Sequence, residues 1–399
     1  MKRFVYLDHA ATTPLDPRVF AVMKPWLTEK FGNPSSFHSS GKEAKDAIEA
    51  ARVSVSKNLS CRAEEIIFTS GGTESDNLAI LGFARANSSV GPSTGFGTGK
   101  HLIISAIEHH AVLEAAKRLE KEGFEISYVQ PNLEGIIELD SIKTLVRPDT
   151  VLISVMLANN EIGTIQPISE IGNWIQKIRG AKQYPVFHTD ACQAAGALEL
   201  SVEKLHVDLM TINGSKIYGP KGTGALYIHH GLRLQPLQFG GAQERGLRPG
   251  TENVAGIIGL AAALELAQKE KNKESERLTV LRDKLISEIL KNIPKTQLNG
   301  HSKNRLPNNV NISFLDIEGE ALLLYLDAQG ICASTGSACA SASLDPSHVI
   351  LAIGRSPEEA HGAMRFTLGH STTEKDIDYV LKVLPPLVEK LRMFSSTRL

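Results

Sequence analysis

Cysteine is scarce and unpatterned in this chain, with four thiols (Cys61, Cys192, Cys332 and Cys339) in 399 residues and no CxxC spacing. That excludes a disulfide scaffold and a clustered zinc site, and it fits a reducing compartment. Excess charge of either sign is also absent, since 43 Lys and Arg against 44 Asp and Glu leave a formal net charge of −1. Stable binding to nucleic acid or to an anionic membrane is therefore not expected, and small polar substrates fit better. No window approaches the roughly 18 apolar residues of a membrane span. The opening MKRFVYLDHAATTP has too short an apolar run for a signal peptide, so a cytoplasmic location is expected. No internal repeat is visible.

What is present is a long globular chain, 42% hydrophobic and 22% charged, large enough for two domains with substantial cores. Short apolar runs alternate with longer amphipathic segments, the pattern of buried parallel strands joined by helices. The pattern predicts strands at Glu65–Thr69, His101–Ala106, Glu125–Val129, Thr150–Met156, Pro185–Thr189, Leu209–Asn213 and Gly224–Ile228. Between them it predicts helices at Lys42–Leu59, Ser75–Arg85, Ala111–Glu122 and Ile168–Arg179. The fold class expected is α/β, a mostly parallel sheet flanked by helices.

A smaller α+β domain is expected to follow, with a strand at Asn309–Phe314 and helices at Gly319–Gln329 and Thr373–Leu391. A helix from Asn253 to Ala267 leads into it. The charged run Gln268 to Glu274 that continues this helix reads as a solvated face. The stretch Ala86 to Gly99, rich in Ser and Gly, reads as a surface insertion.

Four segments have residues suited to chemistry. Phe68-Thr69-Ser70-Gly71-Gly72-Thr73-Glu74-Ser75 runs from a strand through two glycines into a helix, which offers either an anion cup or an ordinary turn capped by Thr73 or Ser75. Asp190 ends an apolar strand, where open α/β sheets place ligands, and could pair with a cationic ring nitrogen or cap a helix. Lys216, in Asn213-Gly214-Ser215-Lys216, follows another strand and is either a Schiff-base amine or a solvated lysine. The small-residue stretch Ala333 to Ser343 carries Cys339 and reads as a solvent-facing arm whose thiol is either reactive or structural.

A phosphate cup, an acid for a pyridinium and a downstream lysine together are the parts of a pyridoxal phosphate site. With them the chain resembles the cysteine desulfurases of the NifS and IscS group, within the aspartate-aminotransferase-like fold. The resemblance covers nearly the whole chain through YLDHAATTP, FGNPSS, FTSGGTESDNLAI, EHHAVL, NNEIGTIQPI, HTDACQ, KIYGPKGTGALY, GGAQERGLRPGT, STGSACASASLDPSHVILAIG and MRFTLG. It implies a large cofactor-binding domain over 15–260, and a small domain formed by 1–14 with 261–399 that carries the Cys339 loop.

The resemblance makes Lys216 the Schiff-base lysine, Asp190 the partner of the pyridine nitrogen, and His109 the residue stacked on the ring. His110 is expected to be a bystander. Asn160 and Gln193 would bond near the phenolic oxygen, and Gly72, Thr73, Asn213 and Ser215 would hold the phosphate. Thr251 would reach the phosphate from the other subunit, which implies a homodimer. Arg365, with Asn160, would bind the substrate carboxylate. The reaction implied converts L-cysteine to alanine, leaving a persulfide on Cys339 for iron–sulfur assembly or tRNA thiolation, with His109 moving protons. A selenocysteine lyase or another β-elimination lyase is the alternative, and a silent sulfur-relay or scaffold subunit is a reading of a different class. Cys339 would also be a transient iron–sulfur ligand shared with a scaffold partner. Relatives commonly have Ser-Gly-His-Lys where this chain has Asn213-Gly214-Ser215-Lys216, so a hydroxyl replaces an imidazole beside the phosphate. Cys332 and Cys192 are expected to be packed, and Cys61 has no assigned chemistry.

Overall fold

The computed structural model describes residues 3–87, 99–180, 184–335 and 345–394. Cys339 and most of the expected surface insertion lie outside the described residues. The strands are β1 (Val5–Tyr6), β2 (Ile66–Thr69), β3 (His101–Ser105), β4 (Glu125–Val129), β5 (Thr150–Ser154), β6 (Val186–Asp190) and β7 (Leu209–Asn213). They continue with β8 (Gly224–Ile228), β9 (Thr296–Leu298), β10 (Asn309–Phe314), β11 (Ile331–Cys332), β12 (Ser334–Thr335) and β13 (Ala363–Thr367).

Seven strands form one sheet in the order β2-β8-β7-β6-β5-β3-β4. The pairs among β3 to β7 are parallel, and β8 runs against both β2 and β7. Because β2 and β7 both oppose β8, they point the same way. Six strand C-termini therefore meet along one edge, where ligands of open α/β sheets collect. Helices cover both faces, which is why runs such as Leu102-Ile103-Ile104 and Val151-Leu152-Ile153 are buried without alternation. The helix Ile168–Arg179 shows the matching pattern, burying Ile168, Ile171 and Ile175 on one stripe.

A second sheet, β12-β13-β10-β9, is antiparallel, and β1 pairs in parallel with β11. Its core joins Val310, Ile312 and Phe366 to Leu285 and Leu384, and it includes Val5 and Leu7 from the start of the chain. One continuous helix, Val254–Asn292, serves both cores. Its first turns bury Ile257, Leu260 and Leu264 against the large sheet, and its last bury Leu278, Leu285 and Ile289 in the second core.

Two details depart from the sequence expectation. The segment expected as one helix over Ser75–Arg85 is interrupted by a wider π-type turn at Leu78–Gly82, between Gly72–Asn77 and Phe83–Asn87. The charged run at 268–274 is more than a solvated face. Gln268 donates to the carbonyls of Ala195 and Leu198, and Glu270 pairs with Arg18 at 2.6 Å.

The strand leading to the glycine turn is held by a buried ion pair. Arg52, on the helix Ser39–Leu59, meets both carboxylate oxygens of Glu244 at 2.7 and 2.9 Å and donates to the Ile66 carbonyl. Glu244 also accepts the Phe68 N–H at 2.8 Å. Truncating one partner leaves a buried charge without its counter-ion, so Glu244→Ala is expected to cost about 3–5 kcal/mol. An unchanged denaturation midpoint would show that the pair contributes nothing.

Candidate functional site

Along the edge formed by the strand C-termini lies a cavity of about 310 Å³. Five segments build it: the turn after β2, the loop after β3, the loop after β5, the end of β6 and the turn after β7. Arg365 enters from β13, and the backbone around Ala10 and Ala11 crosses from the N-terminal segment.

The turn after β2 starts a helix at Gly72 that has no side-chain cap. Neither capping residue expected from the sequence serves, because Ser75 instead meets the Thr69 hydroxyl at 2.7 Å. The start of that helix therefore has no side-chain cap, and its first residues, Gly72 and Thr73, line the cavity. A Cβ on Gly72 would lie 2.9 Å from the Cys192 sulfur and 3.5 Å from Asn213 Nδ2, so only glycine leaves this backbone approachable. A second, more open recess of about 350 Å³ continues from Gly72 and Thr73 toward Ser215 and Lys221.

Asp190 is the last residue of β6. It lines the cavity, and its Oδ1 accepts the Cys192 N–H at 2.8 Å, so it caps a turn and not a helix. Two further carboxyls, Asp76 and Glu108, are fully enclosed nearby, and burial followed by the repulsion of Asp190 raises both well above the usual carboxylate range. Glu108 Oε1 accepts the Met156 N–H at 2.6 Å. Asp76 Oδ1 lies 3.7 Å from His188 Nε2, and neither it nor Glu108 Oε2 has a hydrogen-bond partner among the described residues.

Lys216 closes the short turn Gly214–Lys216 after β7. Its Nζ donates to the carbonyls of Ala10 at 2.9 Å and Ala11 at 2.5 Å, which fixes the amine at the cavity wall. Gln193 Nε2 reaches the same Ala10 carbonyl at 3.0 Å. Asn213 Oδ1 accepts from both the N–H and the hydroxyl of Ser215, each at 3.1 Å, so that hydroxyl is held by Asn213 in this structure.

His109 caps the helix His110–Lys121, its Nδ1 accepting the Ala111 N–H at 3.1 Å. That assignment puts the ring proton on Nε2. Burial pushes the imidazole down, with Asp190 pulling the other way. His110 is not a bystander by position. It also lines the cavity, with its ring 4.9 Å from that of His348, which burial pushes down to about 4.

Arg365 is 3% exposed. Its Nη1 donates to the Asn160 carbonyl at 3.0 Å, its Nη2 to Asp8 Oδ1 at 3.0 Å, and its Nε is buried with no partner among the described residues. Glu161, next to Asn160, accepts the Ser347 hydroxyl. Burial pushes the Glu161 carboxyl up to about 7, against the opposing pulls of Ser347 and Arg365.

These residues fit pyridoxal phosphate. The uncapped helix start and Gly72 could take the phosphate, Asp190 the pyridine N–H, Lys216 the aldehyde and His109 a ring face, with Arg365 in the cavity lining for a carboxylate. A family model described as aminotransferase class-V matches residues 5–380. The chain belongs to the class-V aminotransferase family. Among curated members, cysteine desulfurase IscS of Dictyoglomus turgidum is 54% identical over 396 residues, covering 99% of this chain and 97% of its own. Cysteine desulfurase IscS of Methanosarcina thermophila is 52% identical over 392 residues, covering 98% and 93%. A solved NifS-like protein superposes with a TM-score of 0.89 at 37% identity over 98% of this chain and 100% of its own. A structure described as SspA in complex with cysteine gives 0.78 at 35% identity, over 91% and 98%. Pyridoxal 5′-phosphate is the cofactor of this family member, and the sheet is that of the aspartate-aminotransferase-like fold.

In this member of the class-V aminotransferase family the structure brings Gly72, Thr73, His109, Asn160, Asp190, Gln193, Asn213, Lys216 and Arg365 to one cavity, with Ser215 in the adjoining recess. Thr251 is exposed and lines neither space in its own chain. Sequence reasoning missed Asp8, Asp76, Glu108, Glu161 and His348. Each lies inside a motif used for the resemblance, but its contact is made across the fold. Among the described thiols, burial pushes Cys192 well up and raises Cys332, and it takes Cys61 up to about 12. None of the three has the electropositive setting of an activated thiolate. Among the described residues there is no cluster of metal-ligating side chains and no helix long and apolar enough to cross a membrane.

Proposed function

We propose that Cys339 receives the sulfur of L-cysteine as a persulfide and hands it to an acceptor serving iron–sulfur cluster assembly or tRNA thiolation. The protein is a pyridoxal phosphate-dependent cysteine desulfurase. The observation that supports the detailed reading best is the convergence of Lys216, Asp190, Gly72 and Arg365 on one cavity of about 310 Å³.

Bound pyridoxal phosphate supplies an electron sink for the substrate's α-carbon. Arg365 and Asn160 hold the substrate carboxylate and orient the α-carbon toward Lys216. Lys216 Nζ, already fixed at the Ala10 and Ala11 carbonyls, takes up the α-proton. Asp190 holds positive charge at the pyridine nitrogen. His109 carries its proton at Nε2 and delivers or removes one beside the substrate sulfur. The Cys339 thiolate attacks that sulfur, so an S–S bond forms as the C–S bond breaks. The electron pair released to carbon is matched by a proton, giving L-alanine and an enzyme persulfide.

The same proposal covers a cytoplasmic homodimer in which Thr251 of each subunit completes the other's phosphate site, with domains over 15–260 and over 1–14 with 261–399. It also covers docking of a scaffold or acceptor protein, with Cys339 as a transient iron–sulfur ligand. Purified protein given L-cysteine and a thiol acceptor should release alanine and sulfane sulfur in equal amounts and should be yellow from bound cofactor. A colourless, inert protein would sink the reading, and alanine with no protein-bound sulfur at any time would favour a lyase.

A further inference from the structure

Arg365 projects from β13 between Asn311 on β10 and Ser334 on β12, in the centre of the small sheet. A guanidinium that is 3% exposed is not sustained without a counter-charge, and the structure supplies one in Asp8. Asp8 does not line the cavity; it grips Nη2 from outside, and its side chain is 20% exposed. Arg365 itself lines the cavity, and its Nε is enclosed with no hydrogen-bond partner among the described residues. One cation is thus shared between a permanent carboxylate outside the cavity and the substrate's carboxylate inside it. Glu161, a second acid acting on Arg365, has its carboxyl pushed up to about 7 by burial.

We infer that Asp8 is a specificity-determining residue, a built-in counter-charge that lowers the appetite of Arg365 for anions so that the site accepts the single carboxylate of a zwitterionic amino acid and rejects dianionic ligands. The inference rests on the assignment of Arg365 as the carboxylate clamp. With Asp8 ionised, the Arg365–Asp8 pair is neutral overall, and an incoming dianion brings a second charge that nothing there balances. With that charge removed, the guanidinium attracts any carboxylate more strongly at short range in a medium of reduced dielectric.

Asp8→Asn retains an oxygen acceptor for Nη2 and removes only the charge. Calorimetric titration of the cofactor-loaded protein with propionate and with succinate should show propionate binding roughly tenfold tighter in Asp8→Asn, with a larger gain for succinate. The KM for L-cysteine should fall with it. Asp8→Glu keeps the charge and should leave the propionate-to-succinate preference as in the parent. A purely structural role predicts the opposite sign, because a loosened Arg365 binds both anions more weakly, and equal or weaker propionate binding in Asp8→Asn overturns the inference. Arg365→Gln separates the two claims. If it binds propionate as the parent does, the clamp assignment fails; if it loses propionate while Asp8→Asn leaves the preference unchanged, only the role of Asp8 fails.

Discussion

Lys216→Ala is expected to lose essentially all L-cysteine turnover, by roughly four orders of magnitude or more, because in the proposed mechanism one amine would both hold the cofactor and move the α-proton. The structure gives this amine a fixed address. Its Nζ bonds to two successive carbonyls, Ala10 and Ala11, contributed by the N-terminal segment and not by the lysine's own sheet. The same segment is pinned farther on, where Thr13 donates its N–H and its hydroxyl to the Ser215 carbonyl at 2.9 and 3.0 Å. Lys216 thus sits between a strand end and a strap that set its direction before any substrate arrives. Alanine keeps the backbone and the strap but leaves no group to reach the α-carbon. Its second effect is on retention, since cofactor held only by the glycine turn, Asp190 and His109 should wash out on dialysis while the parent stays yellow. Alanine formation and visible absorption after dialysis check both halves. Turnover within tenfold of the parent would remove Lys216 from the chemistry.

Much of this arrangement is legible in the sequence, for a physical reason. Strands buried on both faces cannot alternate, so β3, β5 and β7 announce themselves as short apolar runs, and the residue after each run falls at the edge where ligands bind. That logic finds Asp190 and Lys216 and the glycine turn at Gly72. It places β6 one residue early, at Pro185–Thr189, because Asp190 is polar and looks like a boundary, although it is paired with Thr211 as part of the strand. What the pattern does not reveal is who meets whom across the fold. Val5 and Tyr6 pair with Ile331 and Cys332, and this long-range register is what sets Asp8 beside Arg365. Asp76 and Glu108 read as ordinary polar helix and loop residues until three-dimensional packing closes over them. His110 looks redundant beside His109, yet both reach the cavity because one caps the helix and the next opens it. Local periodicity reports burial, whereas such contacts depend on register between distant strands.

Cys339→Ala is expected to abolish protein-bound persulfide and, in the absence of added thiol, to lower alanine formation by about two orders of magnitude or more while leaving the cofactor in place. The described thiols make the contrast sharp. Cys192 touches the cavity, but burial and then Asp190 and Asp76 raise its pKa, so it is held as a thiol behind Gly72. Cys332 is raised by burial, Asp327 and Asp8, and Cys61 by burial with Glu65 and Glu64. Each would need to lose its proton in an acidic or apolar setting, against the requirement that a sulfur nucleophile react as thiolate. Cys339 itself lies outside the described residues, but the chain on either side of it is tied to the substrate end of the cavity. Before it, Ser334 and Thr335 pair with Arg365 and Met364; after it, the Ser347 hydroxyl bonds to Glu161. The described residues nearest Cys339 in sequence on either side thus meet Arg365 and Glu161. Cys192→Ala and Cys332→Ala should therefore retain persulfide, detected by mass spectrometry after a single addition of L-cysteine. Persulfide surviving in Cys339→Ala but lost in Cys332→Ala would move the sulfur-accepting role to the neighbouring strand and leave the cavity assignment intact.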